Sequence, residues 1–173
     1  MTFHQLTKYF LSTNARWIVL SMFTSIALKL LTSLPTPTDL LILLTTIFAW
    51  PPLEWFTHKY LMHRWTFLPI HFTHTRHHNN PTPQNGLPDS WIIIVYNIIP
   101  FALFLTPFNN LKTLWASIIT LLTIYEFCHF STHTNYKPTT YLGWAIRLNH
   151  LQHHFHDQNK SFAMLFPTIK NHK

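Results

Sequence analysis

Apolar residues are gathered along this chain in four blocks, with polar segments before, between and after them. The blocks run from about Trp17 to Leu34, Leu40 to Phe56, Trp91 to Phe108 and Leu111 to Phe127. Asn109 and Asn110 predict a turn between the last two blocks, so the pattern favours two helical hairpins. Each block holds roughly 17 residues, which is at the short end of what about 30 Å of hydrocarbon requires.

The pattern therefore predicts an all-α integral membrane protein with four transmembrane helices in two hairpins. A soluble bundle of buried helices is the alternative, because short apolar runs cannot be told from core helices by periodicity alone. A cleaved signal peptide is not expected, because His4, Lys8 and Arg16 precede the first block and no small-residue cleavage site follows it. We expect a single domain over residues 1–173.

Basic residues outside the apolar blocks or at their ends test this topology, because they gather on the cytoplasmic side of multi-pass proteins. If the N-terminus, residues 57–90 and the tail after residue 128 share one side, that side holds Lys8, Arg16, Lys59, Arg64, Arg76, Lys137, Arg147, Lys160, Lys170 and Lys173. Only Lys112 is then left on the opposite side. The charges thus predict cytosolic termini and two long cytosolic segments, which form a helical cap.

Histidine is the unusual feature of the composition, with 14 His against 12 Lys and Arg and 5 Asp and Glu. The single cysteine, Cys128, excludes an intramolecular disulfide and a cysteine-rich zinc site. The net charge is +7, but no Lys/Arg run or nucleic-acid module accompanies it. A membrane surface, and not nucleic acid, is therefore the expected partner.

Most of the histidines fall into four clusters with regular spacing. The clusters are HKYLMH (His58, His63), HTRHH (His74, His77, His78), HFSTH (His129, His133) and HLQHH (His150, His153, His154). Positions i, i+3 and i+4 share one helix face, so each of the last three clusters presents its imidazoles together. His58 and His63 would lie about 140° apart on an ideal helix. This pair is therefore expected to straddle the site and serve two metals.

Ten imidazoles are too many for one ion, whereas two ions with about five nitrogen donors each use them all. Two neighbouring metals can bind and split dioxygen. A loose metal-binding or transport loop is the alternative for a His-rich tract, but here Leu, Trp, Phe and Tyr that can pack interrupt the clusters. The remaining histidines are interpreted as solvated side chains: His4, His71, His156 and His172.

At these clusters the chain resembles the fatty acid hydroxylase superfamily, which includes sphingolipid fatty acid 2-hydroxylases and sterol desaturases. That family carries an HxxxxH box after the second membrane helix, an HxxHH box shortly behind it, and HxxxH and HxxHH boxes after the fourth. All four boxes occur here in that order. Glu54 ahead of the first box also matches, as do the residues Asn79, Asn80 and Pro81 behind the second. The resemblance is strongest over residues 40–166.

The resemblance implies that the ten box histidines coordinate two metals, the first and second members of a box tending to bind different ions. It implies O2-dependent hydroxylation of a fatty acyl chain, 2-hydroxylation of a free or sphingolipid-linked fatty acid being one form. A lipid or sterol desaturase with the same site is the alternative. A non-catalytic metal transporter or sensor is the second alternative.

Cleavage of an unactivated C–H bond requires a redox metal that activates oxygen. Imidazole suits iron, copper and zinc, but zinc cannot change its oxidation state. Iron is therefore the expected working metal, and zinc in a purified protein would be a substitute. Glu54, Glu126 and Asp157 each stand within a turn of a box, where they are candidates for orienting the ligating histidines.

Behind the last box, family 2-hydroxylases carry a Gly-rich stretch where this chain reads NKSFAM, and Glu126 stands where they carry Asp. These departures leave the lipid and the carbon position open. Only 16 residues precede the first block, so no fused cytochrome b5 domain is expected. A separate cytochrome b5-like or ferredoxin-like donor and its reductase would supply electrons. The bacterial inner membrane is favoured, with the endoplasmic reticulum as the alternative.

Overall fold

The computed structural model describes residues 1–167. Over that range the chain forms helices and no strand, which confirms the all-α prediction. The helices are α1 (Phe3–Ser12), α2 (Ala15–Thr32), α3 (Pro37–Phe56), a π-helix (Thr57–Arg64), α4 (Pro69–Asn79), α5 (Ser90–Phe104), α6 (Asn109–Thr132) and α7 (Tyr141–Phe155). Lys170, His172 and Lys173, to which the sequence assigned a side or a solvated position, lie outside the described residues.

Three helical stretches are long and apolar enough to cross a membrane, as expected of an integral membrane protein. They are Ala15–Thr32, Pro37–Arg64 and Asn109–Thr132, and they contain most of the first, second and fourth apolar blocks. The third block forms α5, whose 15 residues fall short of the roughly 20 that a full span needs. The helix ends at Phe104, ahead of Pro107. The four-span arrangement therefore stays a prediction.

The chain divides into two compact units. The apolar unit consists of Leu11–Trp50 and Pro88–Ile124. The histidine unit consists of Met1–Phe10, Pro51–Leu87 and the described part of Tyr125–Lys173. All ten histidines of the four boxes belong to the histidine unit.

In the apolar unit, α2 and α5 pack side by side and satisfy each other's polar groups. The Ser21 hydroxyl donates a hydrogen bond of 2.5 Å to the Tyr96 carbonyl. The Asn97 amide donates to the Trp17 carbonyl over 3.3 Å. Buried polar groups stabilise a helix pair when they are bonded in this way, because an unpaired group in an apolar environment is costly.

An ion pair between the buried Lys29 and the half-buried Asp39 joins the end of α2 to the start of α3. The Lys29 ammonium lies 3.1 Å from the Asp39 carboxylate, and the two side chains are 9% and 12% exposed. The Thr113 hydroxyl of α6 also donates to Asp39, and Lys29 donates to the Ser33 hydroxyl over 2.5 Å. Charges in or near a membrane are stable only when paired, so this cluster holds three helices of the apolar unit together.

In the histidine unit, the short amphipathic helix α1 covers the C-terminal part of α6. Its Leu6 and Phe10 side chains are buried. The Phe10 ring packs edge-on against Phe127 and Phe130, with centroid distances of 5.2 Å and 5.3 Å. The covered part of α6 carries the third histidine box, so this aromatic packing fixes the helix that presents His129 to the site.

Candidate metal centre

The structure brings the ten box histidines together in two groups within the histidine unit. The first group is His58, His63, His74, His78 and His153. The second group is His77, His129, His133, His150 and His154. Within each group the five nitrogen atoms that can bind a metal lie within 4.8 Å of one another.

A π-helix places both histidines of the first box in the first group. Its backbone bonds run from residue i to residue i+5, as between Tyr60 and Trp65 at 2.8 Å, so side chains five residues apart lie on one face. The rings of His58 and His63 are accordingly 5.1 Å apart. The expectation that this pair straddles the site was wrong, because it assumed the geometry of an α-helix.

The two HxxHH boxes contribute to both groups. In α4, His74 and His78 point to the first group and His77 to the second. In α7 the division is the opposite one, because His150 and His154 join the second group and His153 joins the first. Positions i and i+4 share a group in each case, and position i+3 lies on the flank of the helix that faces the other group.

The third box gives both its histidines to one group. His129 and His133 of α6 lie in the second group, with ring centroids 5.1 Å apart. The resemblance implied that the first two members of a box bind different ions. In α4 and α7 those two members lie in different groups, whereas in the π-helix and in α6 they lie in the same group.

The spacing of the ring nitrogens fits metal ions. The Nε2 atoms of His58 and His74 are 3.0 Å apart, and those of His129 and His77 are also 3.0 Å apart. Two imidazole nitrogens bound at right angles, each about 2.1 Å from an ion such as zinc, would be separated by about 3.0 Å. Both ring nitrogens of His154 are buried and have no hydrogen-bond partner among the described residues. The donors present thus suit a bound ion in each group.

Burial keeps these imidazoles in the neutral form that binds metals. Loss of hydration lowers the pKa of His77 to about 3, of His78 to about 2 and of His154 to about 2, and neighbouring imidazoles lower each of them further. The pKa of His150 is also lowered, mainly by burial. At neutral pH one nitrogen of each ring therefore carries a free lone pair, and no proton must be removed from it before an ion binds.

Backbone carbonyls orient several of the rings. The Nδ1–H of His58 donates to the Phe162 carbonyl and that of His153 to the Lys160 carbonyl, each over 2.7 Å. Since Nδ1 carries the proton in both rings, Nε2 is left as the acceptor that faces the first group. A backbone hydrogen bond with Pro81 acts on His133 in the second group and raises its pKa, although burial keeps that pKa low, at about 4.

Two of the three carboxylates proposed to orient the histidines bond to other groups. Glu54 is buried and accepts the backbone N–H groups of Met164 and Leu165, behind the last box. Asp157 pairs with the Lys160 ammonium at 2.8 Å. Glu126 is buried, and its Oε2 atom has no hydrogen-bond partner among the described residues.

Two residues near the groups were not identified from the sequence. His71, which was predicted to be solvated, is half-buried, and its Nδ1–H donates to the Met62 carbonyl over 2.8 Å. Gly86 lies against the rings of His77 and His129. The scarcity of glycine, 2 in the chain, was the available signal. His4 and His156 are exposed, as predicted.

The helices and the two histidine groups define the class: an integral membrane protein with two groups of imidazoles that could hold metal ions. The family model for fatty acid hydroxylases matches residues 43–170, so the chain belongs to the fatty acid hydroxylase family. No curated protein and no solved structure matches the chain. Membership in this family makes the protein an oxidoreductase and indicates oxidation of a membrane lipid by hydroxylation or desaturation.

Proposed function

We propose that the protein hydroxylates a fatty acyl chain of a membrane lipid, with dioxygen as co-substrate and a metal ion in each histidine group. The observation that carries this proposal is the convergence of ten imidazoles into two groups of five in a chain of this family. The groups adjoin, since the His78 ring of the first stacks on the His154 ring of the second at 4.1 Å. Such a pair of sites suits a reaction that uses two metals.

Iron is the metal that fits the reaction. When bound, iron would supply the oxygen activation that cleavage of an unactivated C–H bond requires, because no acid or base side chain can break that bond. Imidazole also accepts zinc, which cannot change its oxidation state. We therefore expect the active protein to contain two iron ions, and zinc in a purified sample to give an inactive form.

The protein's own residues hold the donors in position and exclude water. His58, His77, His150 and His153 are 2%, 2%, 1% and 0% exposed. Burial lowers the pKa of the last three, which keeps the rings neutral. Carbonyl acceptors on His58 and His153 restrict each ring to one tautomer. The protein thus offers preformed donors in a largely buried site, where little reorganisation is needed.

The membrane and an electron donor complete the proposal. The acyl chain enters from the bilayer, with the N-terminus, residues 57–90 and the tail after residue 128 in the cytosol. A cytochrome b5-like or ferredoxin-like protein and its reductase supply electrons from that side. In the histidine unit, Arg64, Arg76 and Lys137 are exposed cations that suit an acidic donor protein.

Lipid mass spectrometry tests the function. Cells that express the protein with a reductase and donor should contain a lipid with one added oxygen. His153→Ala removes a ligand of the first group and His77→Ala removes one of the second, and both variants should abolish the product and lower the bound metal. His4→Ala changes an exposed histidine and should leave the product unchanged.

The mass of the product separates the alternatives. A loss of two hydrogens without added oxygen would identify a desaturase that uses the same site. Identical lipid profiles for the wild type and His153→Ala, with metal-dependent growth, would contradict oxidation and support a metal transporter or sensor.

A further inference from the structure

Residues 160–165, which we call the strap, follow the last histidine box and lie against the first group. The Lys160 carbonyl accepts the Nδ1–H of His153, and the Phe162 carbonyl accepts the Nδ1–H of His58, each over 2.7 Å. These two rings come from α7 and from the π-helix, which are far apart in the sequence. The strap therefore ties together two elements that supply ligands to one group.

The far end of the strap is held by buried polar side chains. The Asn149 amide donates to the Ala163 carbonyl over 2.8 Å. The Glu54 carboxylate accepts the backbone N–H groups of Met164 and of Leu165. Glu54 is 7% exposed and Asn149 is 4% exposed. Hydrogen bonds to a buried carboxylate are strong, so these anchors resist displacement of the strap.

The Phe162 side chain of the strap packs against the histidine rings of the first group. It is 6% exposed, and its ring centroid lies 5.5 Å from those of His58 and His63 and 5.4 Å from that of His153. One apolar ring thus covers three of the five donors of the first group. Water or a chelator must displace this ring to reach an ion from that side.

In the second group a backbone hydrogen bond with Pro81 acts on His133, but several other rings lack such an anchor. The Nδ1 atoms of His77 and His154 in the second group are buried without a hydrogen-bond partner among the described residues, as is that of His78 in the first group. The loop against His77 and His129 presents Gly86, which has no side chain to cover them. The two groups have the same donors but differ in how firmly the surrounding chain holds them.

The conformation of the strap depends on the backbone dihedral angle φ of Ser161. Its φ is 57°, and it is the one non-glycine residue with positive φ in the described chain. This left-handed conformation is disfavoured for residues with a β-carbon and most of all for β-branched ones. Ser161 lies between the two accepting carbonyls, so its conformation controls both bonds to the histidine rings.

We propose that the strap retains the ion of the first group, so that the two ions exchange at different rates and the ion of the second group leaves first. The proposal rests on the proposed function only in that both groups bind metal. The strap residues act through the ligands: they position His58 and His153 and shield them, and they do not touch the reacting atoms.

The rate at which bound metal is released tests directly whether the strap retains an ion. The purified protein is loaded with Co2+ in detergent and mixed with an excess of chelator, and cobalt absorbance is followed over time. The wild type should release cobalt in two phases of equal amplitude. His77→Ala, which removes a ligand of the second group, should abolish the fast phase and so assign it.

Phe162→Ala should accelerate the slow phase about 10- to 100-fold, the usual effect of removing support around a metal ligand, and leave the fast phase unchanged. Phe166→Ala is the matched control, because Phe166 is 48% exposed and lies just beyond the strap. Its release curve should match that of the wild type.

A second pair of variants keeps the test valid if Phe162→Ala does not fold. Ser161→Gly tolerates positive φ and should retain the slow phase, whereas Ser161→Val should accelerate it. Circular dichroism checks that both variants keep their helices.

Three results would overturn the proposal. They are a single phase in the wild type, equal acceleration of both phases by Phe162→Ala, and identical slow phases in the two Ser161 variants. If any of these occurs while the wild type still forms oxygenated lipid, the strap proposal fails and the proposed function stands. If release has two phases but no lipid product forms, the strap proposal stands and the proposed function fails.

Discussion

The backbone of Gly86 lies so close to the ring of His129 that a β-carbon at residue 86 would be 3.0 Å from its Cε1 atom. The same β-carbon would be 3.1 Å from Cε1 of His77. Such distances are shorter than carbon atoms in contact normally allow. Glycine at this position therefore lets the loop approach two candidate ligands of the second group without moving them.

Gly86→Ala should weaken metal binding at the second group. The added methyl group must displace one ring or the loop, so we expect about 10- to 100-fold weaker retention of one ion and unchanged retention of the other. Metal analysis after dialysis against a chelator measures this. Asn79→Ala, at an exposed position beside His78, is the control. Full retention of both ions by Gly86→Ala would contradict this prediction and show that the loop can move to accommodate the methyl group.

The metal-free protein should lose stability as the pH falls. Burial, helped by neighbouring charges, lowers the pKa of His77 to about 3 and of His133 to about 4 in the folded state, whereas an unfolded histidine titrates near about 6.5. Below that pH the histidines bind protons in the unfolded chain but not in the folded chain. Their contribution to the free energy of unfolding is therefore fully present above about pH 6.5 and is lost as the pH falls toward the pKa values of the folded state.

Thermal unfolding of the metal-free protein in detergent at about pH 7.5 and about pH 5 checks this sign. We expect a lower Tm at the acidic pH, together with loss of metal from the loaded protein, because protons compete for the same nitrogens. An unchanged or higher Tm at the acidic pH would contradict neutral, buried imidazoles.

The Lys29–Asp39 pair should stabilise the apolar unit. Asp39→Ala leaves the Lys29 ammonium buried without its partner, and such a loss typically costs about 3–5 kcal/mol. The double variant Lys29→Met/Asp39→Leu should recover much of that stability, because no charge is then buried. Denaturant unfolding in detergent measures both.

The exposed pair Asp157–Lys160 provides the comparison for this test. Asp157→Ala should have little effect on unfolding, because solvent screens such pairs. Equal losses for Asp39→Ala and Asp157→Ala would show that burial is not what makes the first pair important.

His71→Ala should lower stability without removing a metal. The His71 ring donates to the Met62 carbonyl over 2.8 Å and so ties the π-helix to α4, a bond that contributes about 0.5–1.5 kcal/mol. His71 belongs to neither histidine group. Metal analysis should therefore find as much metal in this variant as in the wild type, and a loss of one ion would identify His71 as part of the site.

The helices and the candidate ligands could be predicted because their signals are local. Runs of apolar residues predicted the stretches that are long enough to span a membrane, and i, i+3, i+4 spacing predicted helical histidine clusters. The third apolar block runs to Phe108, but α5 already ends at Phe104. The run of apolar residues continues past that point and so gave no signal for the end of the helix.

The π-helix could not be predicted from the spacing of His58 and His63. An α-helix and a π-helix differ by one residue in their hydrogen-bond partners, and the apolar pattern is compatible with both. The difference decides whether the two rings diverge or lie in one histidine group, and so it changed the predicted role of the first box.

The sequence by itself determined the all-α fold, the apolar blocks and the ten candidate ligands, because residue type and spacing along a helix are properties of neighbouring residues. Only the tertiary structure decided which histidines share a group, where Gly86 lies and what orients the rings. The His58 ring bonds to Phe162, which is 104 residues away in the chain. Such contacts depend on how segments that are far apart in the sequence pack together, and the periodicity of neighbouring residues does not predict that packing.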